Sequence, residues 1–215
     1  MELKTIGLTK KFSSKTAVDN LNITLTNGVY GLLGANGAGK TTLMRLLCNI
    51  QNPTSGKILL NGKNIVGLGE RYRNLLGYLP QHFGYYPDFS AFDFLLYVSA
   101  LKGLDEKAAR KKSKELLEAV DLSRESKHKI KTFSGGMKQR LGIAQAIMEN
   151  PDILLLDEPM NGLDIQGVDD VKALLCKLRE SGKTIVLVSH HLNDIDELCN
   201  VVYKMEGGNL VRSRG

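Results

Sequence analysis

The stretch that decides the fold is VYGLLGANGAGKTTLMRLLC, residues 29–48. It opens with a short apolar run and ends with apolar residues at 43, 46 and 47, which is helical spacing. Between them, GANGAGKT fits the pattern G-x-x-x-x-G-K-[ST], in which a glycine-rich loop joins a strand to a helix. The stretch therefore predicts a phosphate-binding loop in an α/β domain with a mainly parallel sheet.

Each residue type in this loop has a chemical reason to be there. Glycines let backbone N–H groups wrap phosphate oxygens, and the helix N-terminus adds partial positive charge. We expect Lys40 to reach the β- and γ-phosphates of a nucleotide and the Thr41 hydroxyl to ligate Mg²⁺. The predicted nucleotide-binding residues of the loop are Gly34, Asn36, Gly37, Ala38, Gly39, Lys40, Thr41 and Thr42.

Two later apolar runs, DILLLDEP at 152–159 and KTIVLVSH at 183–190, are typical of strands buried on both faces of a parallel sheet. Asp157 ends the first run at the expected phosphate crevice, where it can hold Mg²⁺ through water. Glu158 is the carboxylate expected to orient the attacking water or take its proton. The alternative is that both acids only cap a turn after a core strand.

His190 follows the other run, and its imidazole could hydrogen-bond a γ-phosphate or the attacking water. For its neighbour His191 a structural role is the expectation. Gln81, at the end of LLGYLPQ, could touch Mg²⁺ or water, and it also marks the start of a helical segment. Phe12 could stack on a nucleobase, although a single aromatic after two lysines is equally consistent with no such role.

The remaining segments predict how one domain, residues 1–215, is organised. MELKTIGLTKKF and LNITLT alternate like half-exposed strands, and GKILLNGKNI predicts a hairpin around Asn61 and Gly62, so we expect an antiparallel β flank. Helical periodicity replaces strand patterns over about 81–135, which we interpret as an inserted α-helical lobe. Residues 1–80 and 136–215 then form the nucleotide-binding core.

A second glycine pair, in the segment FSGGMKQ, opens another predicted helix about a hundred residues after the first loop. Ser134, Gly135 and Gly136 offer a hydroxyl, backbone N–H groups and a helix dipole to an anion. One nucleotide has a single terminal phosphate, so two copies of the chain placed head to tail would let each Ser134 close the other's loop. The plain alternative is a serine N-cap followed by a tight glycine turn.

Composition limits the partners and the compartment. The net charge of +6 makes nucleic acid a candidate partner. Acids are interleaved with the ten basic residues of 102–131, however, and no aromatics stand among them to stack on bases, so we expect no nucleic-acid partner. Three cysteines without C-x-x-C spacing argue against disulfides or zinc and favour a reducing cytosol. The N-terminus lacks a signal sequence and no apolar run is long enough for a membrane span, so we expect a soluble chain.

Together these residues resemble the ATP-binding cassette (ABC) ATPases over nearly the whole chain. The resembling elements, in the family's order, are GANGAGKT as Walker A, Gln81 as the Q-loop, FSGGMKQ as the signature, ILLLDE as Walker B, 161–164 as the D-loop and His190 as the switch histidine. The resemblance implies the family's P-loop NTPase fold with ATP and Mg²⁺ as cofactors. It also implies a nucleotide-sandwich dimer, to which Asp164 of the D-loop contributes.

The chain departs from the family pattern at Phe133, where Leu is usual, and at Met160, where Thr or Ser commonly follows Glu-Pro. Neither change removes a phosphate ligand. Because the sequence stops soon after VVYKMEGGNLV, it is similar to a minimal cassette without a C-terminal regulatory domain. Segments such as LLGYLPQHFGYYPDF are similar to the separate ATPase subunits of bacterial exporters for drugs, peptides and polysaccharides.

That similarity implies an ATPase at the cytoplasmic face of the cell membrane, peripheral through separate transmembrane permease subunits. The implied cassette partner is a second copy of the chain or a paralogous cassette. Two alternatives remain at this point: a soluble ABC ATPase acting on DNA or the ribosome, and a small-molecule kinase with the same phosphate loop. The first usually needs two cassettes, coiled-coil arms or zinc cysteines, and the second would not need Ser134 and its glycines.

Overall fold

The structure is a computed structural model that describes residues 1–190 and 195–214. Its strands are β1 (Leu3–Phe12), β2 (Lys15–Leu21), β3 (Thr24–Leu25), β4 (Gly28–Leu33), β5 (Ser55–Leu60), β6 (Lys63–Asn64), β7 (Leu76–Leu79), β8 (Ile153–Asp157), β9 (Thr184–Val188), β10 (Val201–Glu206) and β11 (Asn209–Arg214). Within these residues its α-helices are α1 (Lys40–Leu47), α2 (Ile65–Leu68), α3 (Glu70–Arg73), α4 (Ala91–Leu101), α5 (Glu106–Ala119), α6 (Gly135–Ala146) and α7 (Ile165–Glu180), and a 3-10 helix spans Ile130–Thr132.

The larger sheet has the order β11-β10-β4-β9-β8-β7, and its strands pair in parallel except for the β10–β11 hairpin. Strands β8 and β9 are buried along their whole length, as their continuous apolar runs predict. The predicted strand, loop and helix of residues 29–48 form β4 and α1 with the glycine-rich loop between them. The α/β fold class and the mainly parallel sheet are therefore confirmed.

The smaller sheet is the expected antiparallel flank, with the order β2-β1-β5-β6 and β3 paired to β1. Asn61 and Gly62 both have positive φ, 48° and 79°, which suits a tight hairpin turn between β5 and β6. The predicted strand LNITLT is wrong as one continuous strand, because Leu21 ends β2 and Thr24–Leu25 forms β3, with residues 22 and 23 in neither. The Asn22 side chain instead accepts from the Gly7 N–H and donates to the Asn20 carbonyl, both at 2.8 Å, which interrupts the ladder.

The parallel sheet separates two hydrophobic cores. Along β8, Leu154 and Leu156 point into the core shared with α4, α5 and α6, while Ile153 and Leu155 point into the core shared with α1 and the antiparallel sheet. This alternation is the two-residue period of a strand covered on both faces. Each face of the sheet therefore has its own packed layer.

Between β7 and β8 the described chain holds α4, α5 and α6 and no strand of the two sheets. Ser90 and Asp105 cap α4 and α5, accepting from the N–H groups three residues on at 3.1 and 3.0 Å. The basic helix α5 carries the surface pairs Arg110–Glu106 and Lys111–Glu115. The division of the domain at residues 81 and 135 stays a prediction.

Gly77 tests how closely β7 packs on α6. A Cβ at this position would lie 2.1 Å from the Ala146 carbonyl oxygen and 2.8 Å from Pro151 Cγ. Gly77→Ala should therefore lower the free energy of unfolding by about 1–3 kcal/mol, measured by chemical denaturation. Gly67→Ala is the matched control, because a Cβ there meets no atom within 4 Å and alanine favours the helix. Equal denaturation midpoints for the two variants would contradict this packing.

Candidate nucleotide-binding and catalytic site

A cavity of about 480 Å³ lies between the glycine-rich loop and the carboxyl end of β8, and we call it the phosphate-loop cavity. It brings together residues from four segments that are far apart in sequence. The predicted site residues that line it are Phe12, Asn36, Gly37, Gly39, Lys40, Thr41, Thr42, Gln81, Asp157 and Glu158. Lys15 and Ala17 complete its wall.

The shape of the loop depends on Gly39. Its φ is 113°, and a Cβ there would lie 2.0 Å from the Ala17 carbonyl oxygen, so a side chain would push α1 away from β2. Two predicted binding residues, Gly34 and Ala38, line a neighbouring cavity beside Met205 and not the phosphate-loop cavity. The structure therefore places these two on the outer side of the loop.

Lys40 is buried at the start of α1, with 6% of its surface exposed. Its Nζ donates to the Gly34 carbonyl at 2.6 Å and to the Ala35 carbonyl at 3.0 Å, which curls the side chain back over the loop. Burial lowers the pKa of Lys40, and the nearby carboxylates of Glu158 and Asp157 oppose that shift. A cation held above a ring of backbone groups is suited to bind the terminal phosphates of a nucleotide.

The Thr41 hydroxyl donates to Asp157 Oδ2 at 3.1 Å, so the two predicted Mg²⁺ ligands are neighbours. Burial raises the pKa of Asp157, and the hydrogen bond from Thr41 is the largest effect that opposes the rise. Among the described residues, no group of three or more His, Cys, Asp or Glu could hold a metal. A hydroxyl and a carboxylate beside a phosphate site still fit Mg²⁺, which takes few protein ligands and completes its shell with phosphate and water.

Glu158 follows β8 directly and contacts His190. The distance between Glu158 Oε1 and His190 Nε2 is 2.5 Å, and the glutamate side chain is 12% exposed. Glu158 has a φ of 56°, a left-handed conformation that is uncommon for a residue with a side chain. His190 lines a further cavity of about 410 Å³ that includes Glu158, and His191 lies outside the described residues.

The second predicted anion site is separate from the first. Ser134, Gly136 and Asp164 line a cavity of about 680 Å³ at the start of α6, which we call the signature cavity. Ser134 Oγ accepts from the Met137 N–H at 3.2 Å, so the serine is an N-cap. Ser134 and Gly135 are both exposed. No residue of the described chain that lines this cavity also lines the phosphate-loop cavity.

Asp164 also has a local structural role. Its Oδ1 accepts from the Gly167 N–H at 2.9 Å and caps α7. Arg140 of α6 faces the same cavity, 3.2 Å from Asp121 Oδ2 and 3.8 Å from Asp164 Oδ1. The signature cavity thus combines a helix N-terminus with a largely buried arginine, which suits an anion.

Sequence reasoning missed two residues next to the site. Lys15 donates to the Gly37 carbonyl at 2.6 Å and lines the phosphate-loop cavity. Its position three residues after Phe12 was a usable signal, since the two residues flank the β1–β2 turn. Gln139 donates from Nε2 to the Glu158 carbonyl at 2.9 Å, and no local pattern could have shown that contact because it spans two elements.

Comparisons with known proteins agree with this geometry. The profile described as "ABC transporter" matches residues 18–161. The bacitracin transport ATP-binding protein BcrA of Bacillus licheniformis is 40% identical over 97% of this chain and 68% of its own. The ABC transporter ATP-binding protein YybJ of Bacillus subtilis is 38% identical over 98% and 95%.

Among solved structures, the dimeric ATP-binding cassette MJ0796 in a post-hydrolysis state with ADP and Pi superposes with a TM-score of 0.88, at 27% identity over 99% of both chains. The profile covers more than half of the sequence, and the fold extends the agreement to nearly all of it. The chain therefore belongs to the ABC transporter family, as an ATP-binding subunit that hydrolyses ATP.

Proposed function

We propose that this subunit drives export of a compound across the cell membrane from its cytoplasmic face, together with separate transmembrane permease subunits. Similar chains are named for bacitracin transport, linearmycin resistance and Nod factor export, and one for methionine import. One of these names states export and another states resistance, against one that states import, and this favours export. The same relatives favour transport over a role on DNA or the ribosome. No helix within residues 1–190 and 195–214 is long and apolar enough to cross a bilayer.

The observation that carries the proposal is the division of the phosphate-binding groups between two cavities. The phosphate-loop cavity holds Lys40 and the pair Thr41–Asp157, while Ser134 and the N-terminus of α6 face the signature cavity. In a head-to-tail dimer, each signature would face the other copy's loop and bind the γ-phosphate there. ATP would then hold the dimer closed, and hydrolysis would let it open.

The residues of the phosphate-loop cavity suit hydrolysis. Mg²⁺ held by Thr41 and Asp157 would neutralise charge on the β- and γ-phosphates, with Gln81 within the same cavity. Lys40 binds the same phosphates through its ammonium group. Glu158 orients the attacking water or takes its proton, and His190 holds the Glu158 carboxylate by their 2.5 Å contact. Phe12, which is 45% exposed at the cavity wall, is the proposed platform for the nucleobase.

Substitution of Glu158 tests this division of roles. Glu158→Gln should keep ATP binding while slowing turnover by about 10²- to 10⁴-fold, because the amide cannot accept the proton. Lys40→Ala is the contrasting variant and should weaken ATP binding itself. Steady-state ATPase assays and equilibrium nucleotide binding measure the two effects. Turnover of Glu158→Gln within about threefold of the wild-type rate, in a preparation free of contaminating ATPases, would reject the role of Glu158.

A cluster of aromatic side chains offers a surface for the permease. Tyr86, Phe89 and Tyr97 pack together with ring centroids 5.0–5.9 Å apart, and we call them the aromatic surface. Tyr86 is 48% exposed and Tyr97 37%. They follow Gln81 in the chain, and Gln81 lines the phosphate-loop cavity, so one continuous segment runs from that cavity to the aromatic surface. Exposed aromatics with a polar tip are natural anchors for a partner helix.

Phe83 and Tyr85 also follow Gln81, but the ring contacts of Phe83 are with Tyr85 and Phe94 at 5.5 and 6.3 Å and not with the aromatic surface. Both pack against the core shared by the helices, and Tyr85 lies under the Lys138 ammonium at 5.5 Å. Their role is therefore to fix the segment after Gln81 against α6.

Tyr86→Ala combined with Tyr97→Ala should abolish transport by the complete transporter and leave the basal ATPase activity of the isolated chain unchanged. The reason is that the two phenol rings contact a partner and do not line either phosphate cavity. Ile50→Ala is the control, since Ile50 is a large apolar residue that is 62% exposed outside the aromatic surface. Transport at the wild-type rate in the tyrosine double variant would place the docking site elsewhere.

A further inference from the structure

One side chain joins the helix of the signature cavity to the residue at the reacting end of the phosphate-loop cavity. Gln139 lies on α6 about one turn after Ser134 and Gly136, which line the signature cavity. Its Nε2 donates to the Glu158 carbonyl at 2.9 Å, and Glu158 lines the phosphate-loop cavity. Within the described chain these cavities have no lining residue in common. The hydrogen bond of the Gln139 amide therefore links the helix that begins at the signature cavity to a residue that lines the phosphate-loop cavity.

The backbone of Glu158 needs this kind of support. A residue with a side chain at a φ of 56° costs about 1–3 kcal/mol and persists only where its surroundings over-determine it. The Glu158 N–H donates to the Val188 carbonyl at 3.1 Å, and its own carbonyl accepts from the Asn161 N–H at 3.2 Å as well as from Gln139. These bonds set the direction in which the Glu158 carboxylate leaves the backbone, toward His190.

We propose that Gln139 is a positioning residue that holds Glu158 in the orientation for hydrolysis. When the partner's nucleotide binds at Ser134, Gln139 transmits the resulting displacement of α6 to Glu158. This inference rests on the proposed roles of Glu158 and Ser134. The helix is continuous between Ser134 and Gln139, beginning with the Lys138 N–H to Ser134 carbonyl bond at 3.1 Å. A displacement of the N-terminus of α6 by a bound phosphate therefore moves the Gln139 amide with it.

Close backbone packing also connects the start of α6 to the segment after Glu158. A Cβ on Gly136 would lie 3.0 Å from the Gly162 carbonyl oxygen, so α6 rests on the loop that follows Glu158. The start of α6 and the loop from Glu158 to Asp164 cannot shift independently at this distance. Gln139 provides the directional contact between α6 and this loop, because its amide donates to one carbonyl, that of Glu158.

Gln139→Met tests the proposal, because methionine has a similar length and helix propensity but no N–H donor. The kcat of ATP hydrolysis should fall about 10- to 100-fold, since a misplacement of about 1 Å at the reacting group is enough. The KM for ATP should stay within about twofold of the wild-type value, because the Lys40 loop is intact. In a Glu158→Gln background, Gln139→Met should leave ATP-dependent dimerisation unchanged, because Ser134 is intact.

Gln166→Met is the matched control. It removes another glutamine amide bond of 2.9 Å, to Asp170 on α7, and neither residue lines the phosphate-loop cavity or the signature cavity. Its kcat should equal that of the wild type, and thermal unfolding of every variant should show a folded chain at the assay temperature. A wild-type kcat for Gln139→Met would overturn the proposal. So would a loss of ATP-dependent dimerisation in parallel with kcat, because Gln139 would then support α6 as a whole.

The outcome for Glu158→Gln separates this inference from the function on which it rests. If Glu158→Gln hydrolyses ATP at the wild-type rate, the proposed site itself fails, and the role of Gln139 fails with it. If Glu158→Gln is inactive and Gln139→Met has the wild-type kcat, only the role of Gln139 is overturned.

Discussion

The parallel register of β4, β9 and β8 pairs Leu32 with Val188 and Val188 with Asp157, so the residues after each strand emerge at one edge of the sheet. The glycine-rich loop follows β4, Glu158 follows β8, and His190 follows β9 by two residues. This alignment puts Lys40, Asp157 and Glu158 around a single cavity. The 3.1 Å bond between Thr41 and Asp157 then joins the first turn of α1 to the end of β8.

The site concentrates charge where burial makes it costly. Lys40 and Asp157 are both nearly inaccessible, and burial shifts the pKa of each toward its neutral form. The opposite charge of the other residue and the hydrogen bonds that each group makes offset part of its desolvation cost. Bound phosphates and a divalent cation would add their own charges to this balance, which fits buried groups of this kind at a functional site.

The sequence was informative where one segment carried its own pattern. The glycine-rich loop, the strand ending at Asp157 and the Asn61 and Gly62 hairpin follow from spacing and turn chemistry, and the structure has each of them. Contacts between distant segments were not readable in this way. Neither the Gln139 amide on the Glu158 carbonyl nor the inward packing of Tyr85 leaves a periodic signal, because both depend on how α6 lies on the sheet.

The prediction of one continuous strand over LNITLT was wrong for a related reason. Its alternation was correct, but the Asn22 side chain bonds to the Gly7 N–H and to the Asn20 carbonyl, and a strand pattern does not record such bonds. From the sequence, the two anion sites at Lys40 and Ser134 only indicated that a second chain should be involved. The sequence did not show that the two sites lie in different cavities. In the structure Ser134 and Lys40 line two cavities that share no lining residue over the described part of the chain.

The most direct measurement of the central claim, that one ATP site needs two chains, is a cysteine crosslink between positions 36 and 134. Asn36→Cys and Ser134→Cys are placed in separate chains that carry Glu158→Gln and lack Cys176 and Cys199. Cys48 is kept, because it is 4% exposed and burial raises its thiol pKa. The account predicts a disulfide-linked dimer when the two chains are mixed with ATP, and none without nucleotide or with either chain alone. A crosslink that forms equally without ATP, or only within one chain carrying both cysteines, would contradict it.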